Sequence, residues 1–228
     1  MNYTDNSFIN LILIGAIALF PVINPIGSAI VLSSVIEKLN TQERRKAVTK
    51  ITLYAFCICV IALLLGHFIL HLFGISIPIV QVAGGVLICK MGWEFLFAPA
   101  NQQQEVQKDA VKSNVKQATA YSQIADKLFF PVTFPATTGA GTISVIFTLS
   151  AHSAKFGTQQ YFLNFTAIIA SILIMCILIY FFYFNSKKII HSLGVHGALV
   201  INRISAFLIF CVGLQIGYTG LKELFRLA

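Results

Sequence analysis

The chain has 228 residues, 57% of them hydrophobic and only 11% charged, with a mean hydropathy of +0.82. These figures exclude an ordinary soluble domain and indicate an integral membrane protein. The formal net charge of +8 comes from basic residues spaced between apolar runs rather than gathered on one soluble module, which argues against a nucleic-acid partner.

Stretches without Lys, Arg, Asp or Glu cover 6–36, 51–89, 128–154, 156–186 and 204–221. A spanning helix needs about 20 mostly apolar residues, so helices are predicted near 8–36, 51–73, 77–97, 128–151, 160–184 and 202–224. The expected fold is an all-α membrane protein with six transmembrane helices in contact with the lipid bilayer. Asp5, with no Lys or Arg before the first apolar run, gives no basic n-region of a cleavable signal peptide, so helix 1 is expected to be retained.

Helix 1 contains the hexapeptide Phe-Pro-Val-x-x-Pro at Phe20–Pro25. A proline inside a helix removes a backbone donor and clashes with the preceding turn, so two prolines this close predict an opened ladder. Asn24-Pro25 reads as an N-cap followed by proline at the first helical position, which starts a second half-helix at Pro25. Its first donors are the N–H groups of Ile26, Gly27 and Ser28, with Asn24 taking one of them, and Gly27 admits a ligand close to the backbone.

Lys38, Arg44, Arg45, Lys46 and Lys50 follow helix 1, Lys108, Lys112, Lys116 and Lys127 follow helix 3, and Lys187, Lys188 and Arg203 follow helix 5. The other side holds only Lys155, Lys222 and Arg226. The positive-inside rule therefore predicts both termini outside and a cytoplasmic 98–127 loop, a polar tether that includes the run Gln102-Gln103-Gln104. In helix 2, His67 and His71 lie one turn apart, but no third ligand accompanies them, and interface histidines rather than a metal site are expected. The five cysteines all fall in apolar spans, where they serve as small hydrophobes, and no disulfide is expected. Lys90 and Glu94 in helix 3 share one face as an interfacial pair or, through Glu94, a proton relay.

Helix 4 repeats the hexapeptide at Phe130–Pro135, followed by Thr137, Thr138, Gly139, Ala140, Gly141 and Thr142. Two glycines and three threonines suit an unwound polar stretch, and which threonine caps the next half-helix stays open. Gln81–Cys89 also aligns weakly with Arg203–Cys211 at one offset. The two matches predict a first three-helix repeat at 1–97 and a second at 128–228, joined by 98–127. Three spans end on the side opposite their start, so the second copy is inverted. Interrupted segments at matching places in two halves point to a transporter site near the bilayer midplane.

The candidate substrate-binding residues are Asn24, Pro25, Gly27, Ser28, Thr137, Thr138, Gly139, Gly141 and Thr142. Two half-helix N-termini without a nearby fixed charge suit a small ligand that is neutral overall and carries a carboxylate, such as a zwitterionic amino acid. The competing interpretation is that both breaks are packing kinks. No His-Glu-x-x-His, Gly-x-Ser-x-Gly or intramembrane aspartate pair is present, so an enzyme is not expected, nor is a cofactor. Efflux of other solutes, a passive channel or a non-transporting scaffold are the rival functions.

Phe20–Gly27, Phe73–Pro78 leading to Ala83-Gly84-Gly85, Pro135–Thr142, and Arg203-Ile204 through Gly213 together resemble the MarC family of bacterial inner-membrane proteins. That family is related to SnatA-type neutral amino acid transporters. The resemblance implies a six-helix inverted repeat in the bacterial inner membrane with outside termini, and uptake or exchange of amino acids such as glycine or alanine; whether H⁺, Na⁺ or simple exchange drives it stays open. The family's Asn/Asp-Pro-x-Gly falls on Asn24–Gly27, and its Gly-Pro-Gly-x-Ile on Gly139–Ile143, where Ala140 replaces proline. Gln81 stands where a basic residue often precedes Ala-Gly-Gly, and Arg203 is its helix 6 counterpart.

Overall fold

A computed structural model describes residues 3–36, 39–97, 128–153 and 158–227, and among them all regular structure is helical. The elements are α1 (Tyr3–Ile23), α2 (Pro25–Ile36), α3 (Thr41–Leu72), α4 (Ile77–Phe97), α5 (Leu128–Thr137), α6 (Ala140–Ser153), α7 (Thr158–Phe184) and α8 (Ser186–Leu227). Among the described residues, four helical stretches are long and apolar enough to cross a membrane: Thr41–Leu72, Ile77–Phe97, Phe162–Phe184 and Leu199–Phe225. Phe8–Ile23 and Ala140–Ser150 are apolar but shorter, because helix breaks cut them off. The 98–127 tether lies outside the described residues.

One helix start differs from the prediction. Helix α3 starts at Thr41, ten residues before the predicted 51. Asn40 and Glu43 form a reciprocal capping box there, with the Glu43 N–H donating to Asn40 Oδ1 at 2.8 Å and the Asn40 N–H to Glu43 Oε2 at 3.2 Å. The charged first turns therefore belong to the helix, with Ala47 and Val48 on its buried side. Helix α8 is interrupted at Gly194, whose φ of 63° and ψ of 176° are non-helical: a short stretch from Ser186 takes in Lys187 and Lys188, and the apolar span Leu199–Phe225 beyond it agrees with the predicted 202–224. That left-handed φ is one glycine reaches without a Cβ penalty. At the end of α3, Gly74 (φ 63°) closes a Schellman turn, with Ile75 N–H donating to Leu70 O at 2.9 Å and Gly74 N–H to His71 O at 3.2 Å.

In lipid, helices associate through close packing of small residues and interhelical hydrogen bonds, and three contacts of that kind organise the bundle. The first is between α4 and α8, which run antiparallel. A Cβ on Gly85 would lie 2.5 Å from the Gly217 nitrogen, one on Gly92 2.5 Å from the Phe210 nitrogen, and one on Gly220 2.7 Å from the Pro78 oxygen. Backbone therefore meets backbone along this seam. The second joins α1 to α7, where Ser171 Oγ donates to Ile12 O at 2.8 Å beside Gly15. The third joins α6 to α3, where Ser150 Oγ donates to Leu63 O at 3.1 Å. Short helix α2 rests on α7 and α8, and short helix α6 on α3 and α4. Leu19, Ile51, Leu63, Ile88, Ile146, Ile172 and Ile179 fill the buried centre, while residues such as Leu53, Ile61, Phe68 and Ile177 face outward.

Candidate functional site: two helix breaks joined by a tyrosine

Between α1 and α2 the chain breaks at one residue. Asn24 has φ 45°, a left-handed value that asparagine tolerates better than most side chains. From there its Oδ1 accepts the Gly27 N–H at 3.1 Å, which caps α2 as the Asn-Pro pair predicts. Pro21 sits within α1 and the helix runs on to Ile23, so the opening is narrower than two prolines suggested. Ser28 Oγ donates to Ile23 O at 3.2 Å, giving a carbonyl at the end of α1 a partner. A Cβ on Gly27 would collide with the Asn24 amide and lie 2.8 Å from Asn202 Oδ1. The space expected to admit a ligand at Gly27 is thus occupied by two amide side chains, one of them from α8.

The second break is wider. Phe130 (φ −119°, ψ 126°) and Phe134 (φ −117°, ψ 126°) are extended, each immediately before a proline, and the turns of α5 around them are of the wide π type. Threonine hydroxyls bond back to carbonyls five residues earlier: Thr133 to Leu128 O at 2.6 Å, Thr137 to Val132 O at 2.9 Å and Thr138 to Thr133 O at 3.1 Å. These bonds engage Thr137 and Thr138 away from α6, which leaves Gly139 at the cap position, its carbonyl accepting Ile143 N–H at 3.1 Å. Glycine supplies no capping oxygen, so the first-turn N–H groups of α6 have no side-chain cap from that position. In the same turn Thr142 is 1% exposed, and its hydroxyl has no hydrogen-bond partner.

Tyr183, on α7, joins the two breaks. Its hydroxyl donates to Thr137 Oγ1 at 2.7 Å, because the Thr137 proton goes to Val132 O, and it lies near the Ser28 side chain. The ring is fully buried. A Cβ on Gly141 would lie 2.9 Å from Val22 Cγ1, so the start of α6 packs directly on the end of α1. The bridge lies toward one end of α7 rather than halfway along it, because Tyr183 is the penultimate residue and the next one, Phe184, carries the Arg44 guanidinium 5.0 Å above its ring.

Asn24, Pro25, Gly27, Ser28, Thr137, Thr138, Gly139, Gly141 and Thr142 thus all belong to the two breaks, which Tyr183 and the Gly141–Val22 contact hold together. Lys90 and Glu94 do not join them. They form an ion pair of 3.8 Å on the exposed face of α4, whereas Ile88 and Met91 are the residues of α4 that line Gly141. His71 is exposed, and among the described residues no group of three or more metal-ligating side chains occurs. Gln81 is buried against Gly220, and Arg203 is exposed.

The model for MarC family integral membrane proteins matches residues 9–225, covering both breaks and the α4–α8 seam. The chain belongs to the MarC family. It is 27% identical over 216 residues to the inner membrane protein MarC of Salmonella paratyphi A, with 93% of this chain and 95% of that protein covered. The MarC protein of Escherichia coli is 27% identical over 213 residues, and that of Citrobacter koseri 28% over 216, with the same coverage of each chain. No solved structure matches. With its apolar helices, this MarC family member is a multi-pass inner-membrane protein. Tyr183 and Asn202 escaped sequence reasoning. Tyr183 stands in the aromatic run Tyr180–Phe184, which reads as lipid packing, and Asn202 is a lone amide beside the more conspicuous Arg203.

Proposed function

We propose that this MarC family member is a secondary transporter of small neutral solutes, foremost neutral amino acids such as glycine or alanine. It works by alternating access around the joint of α1/α2 with α5/α6. The observation that carries this reading is the start of α6, where uncapped first-turn donors adjoin the buried, unpartnered Thr142 hydroxyl. A carboxylate satisfies such donors well, and the lack of a fixed charge within either break favours a ligand that brings its own compensating ammonium. Asn24 and Asn202 offer amide oxygens to that ammonium.

Six spans in two inverted three-helix repeats, 1–97 and 128–228, suit the same mechanism. The bond from Ser28 Oγ to Ile23 O and the bond from Thr138 Oγ1 to Thr133 O occupy equivalent places in the two hexapeptide regions. The packing pattern supports the repeat too: α2 rests on α7 and α8 as α6 rests on α3 and α4. In this reading both termini lie outside, the 98–127 loop is cytoplasmic, and movement between the two access states separates Tyr183 from Ser28 or from Thr137. An H⁺ or Na⁺ gradient, or simple exchange, drives the cycle.

The test is counterflow. Purified protein in liposomes loaded with unlabelled glycine or alanine should accumulate the labelled amino acid saturably, and Thr142→Val should weaken it while the protein remains folded. Unsaturable flux would indicate a channel. No flux across a broad amino-acid panel would overturn the substrate class and favour efflux of other solutes or a scaffold. Imposed pH or Na⁺ gradients then identify the coupling ion.

A further inference from the structure

The basic start of α3 forms a feature separate from the helix breaks. Arg45, Lys46, Thr49 and Lys50 line an open hollow on the outer face of that helix. Steps of three and four residues continue the same face through Leu53, Cys57, Ile61, Leu64, Phe68 and Leu72, all of them exposed. One outward stripe therefore begins in cations and continues as apolar side chains for the rest of the helix. Arg44, on the neighbouring face, lies over Phe184 and so brings the exposed Lys187 and Lys188 at the start of α8 to the same end of the bundle.

We infer that this stripe is a binding site for an anionic phospholipid. Its phosphate sits among Arg45, Lys46 and Lys50, and an acyl chain lies along Leu53, Cys57 and Ile61. Charge complementarity selects the occupant. A zwitterionic headgroup gives three closely spaced cations no net attraction, whereas each Lys or Arg near an anionic membrane surface strengthens binding by about fivefold. The apolar continuation selects a lipid over a free anion, because inorganic phosphate gains nothing from the stripe below the cations. The site is independent of transport and does not require the proposed substrate.

The experiment uses the full chain in detergent, with retained lipid measured by native mass spectrometry after exposure to phosphatidylglycerol or phosphatidylcholine. Phosphatidylglycerol should be retained at least about tenfold better. The triple variant Arg45→Gln, Lys46→Gln, Lys50→Gln should lose about a hundredfold in that retention, on the basis of about fivefold per charge. Lys222→Gln, at the far end of α8, should change nothing. Leu53→Ser with Ile61→Ser should also weaken phosphatidylglycerol retention. Equal retention of the two lipids by the wild type overturns the site without recourse to any variant. Displacement of the lipid by excess inorganic phosphate, or unchanged retention by the triple variant, does so too, the latter pointing to the chain's own acidic residues as partners of the rim.

Discussion

The same hexapeptide, Phe-Pro-Val-x-x-Pro, interrupts both α1/α2 and α5/α6, yet it takes two conformations. In the first, Phe20 stays helical and the break is confined to Asn24, whose left-handed backbone and side-chain cap restart the helix at once. In the second, both pre-proline phenylalanines are extended, and the helix restarts only at Ala140. The prolines are common to both, so they set where the ladder weakens. The residue before the second proline decides how far it opens: an asparagine offers a cap from the left-handed region, while a phenylalanine offers none and stays in the extended region that proline favours. The first break is closed by its own side chains. The second has the hydroxyls of Thr133, Thr137 and Thr138 engaged with its own carbonyls, Thr137 also with Tyr183, and Gly139 gives the start of α6 no side-chain cap.

The largest expected effect tests the closed break. Gly27→Val places a branched side chain against the Asn24 cap and Asn202, and should destabilise the protein by about 3 kcal/mol, as overpacking does. Fluorescence-detected size exclusion after heating should show a clearly lowered melting temperature. Next in size, Asn24→Ala loses the cap and leaves alanine at positive φ, for a combined cost of about 2 kcal/mol. Asn24→Gly should recover most of that, because glycine accepts the backbone and caps nearly as well. If the two variants melt alike, the left-handed backbone is not what shapes this break.

Tyr183→Phe removes the hydroxyl bound to Thr137 and should cost about 1 kcal/mol, because Thr137 keeps its bond to Val132 O. Counterflow should change more than stability does, since the bridge is the contact that has to break and re-form in each cycle. The smallest effect is expected from Gly141→Ala. The added methyl meets the ends of the Val22 and Met91 side chains, which can shift, so a cost of about 1 kcal/mol or less should appear in the same melting assay. A Gly141→Ala variant as damaging as Gly27→Val would mean that the second break is packed as tightly as the first.

Local chemistry made much of this legible in the sequence. The Asn24-Pro25 cap, the weak points at both hexapeptides and the apolar helices follow from backbone rules that operate within a few residues. The early start of α3 was also written locally, in Asn40 and Glu43, but a boundary drawn where the charges end passes over it. The residue at the cap of α6 was not legible, because Thr137 and Thr138 are drawn back to the carbonyls of Val132 and Thr133, and Thr137 is held in addition by a tyrosine hydroxyl 46 residues away. Asn202 was hidden for the same reason: its place beside Gly27 depends on how α8 packs on α2, and no periodicity within α8 encodes that.

The glycine seam between α4 and α8 also bears on how the molecule responds to temperature. Most helix contacts fix several side chains in single rotamers and incur an entropic cost for doing so, a cost that grows as the protein warms. Where Gly85 faces Gly213 and Gly217, there are no rotamers to freeze. The contact rests on dispersion between main-chain atoms, and its strength should change little between cold and warm membranes while the side-chain-rich contacts around it soften. Warming should therefore loosen α1, α2, α5 and α6 before it parts α4 from α8.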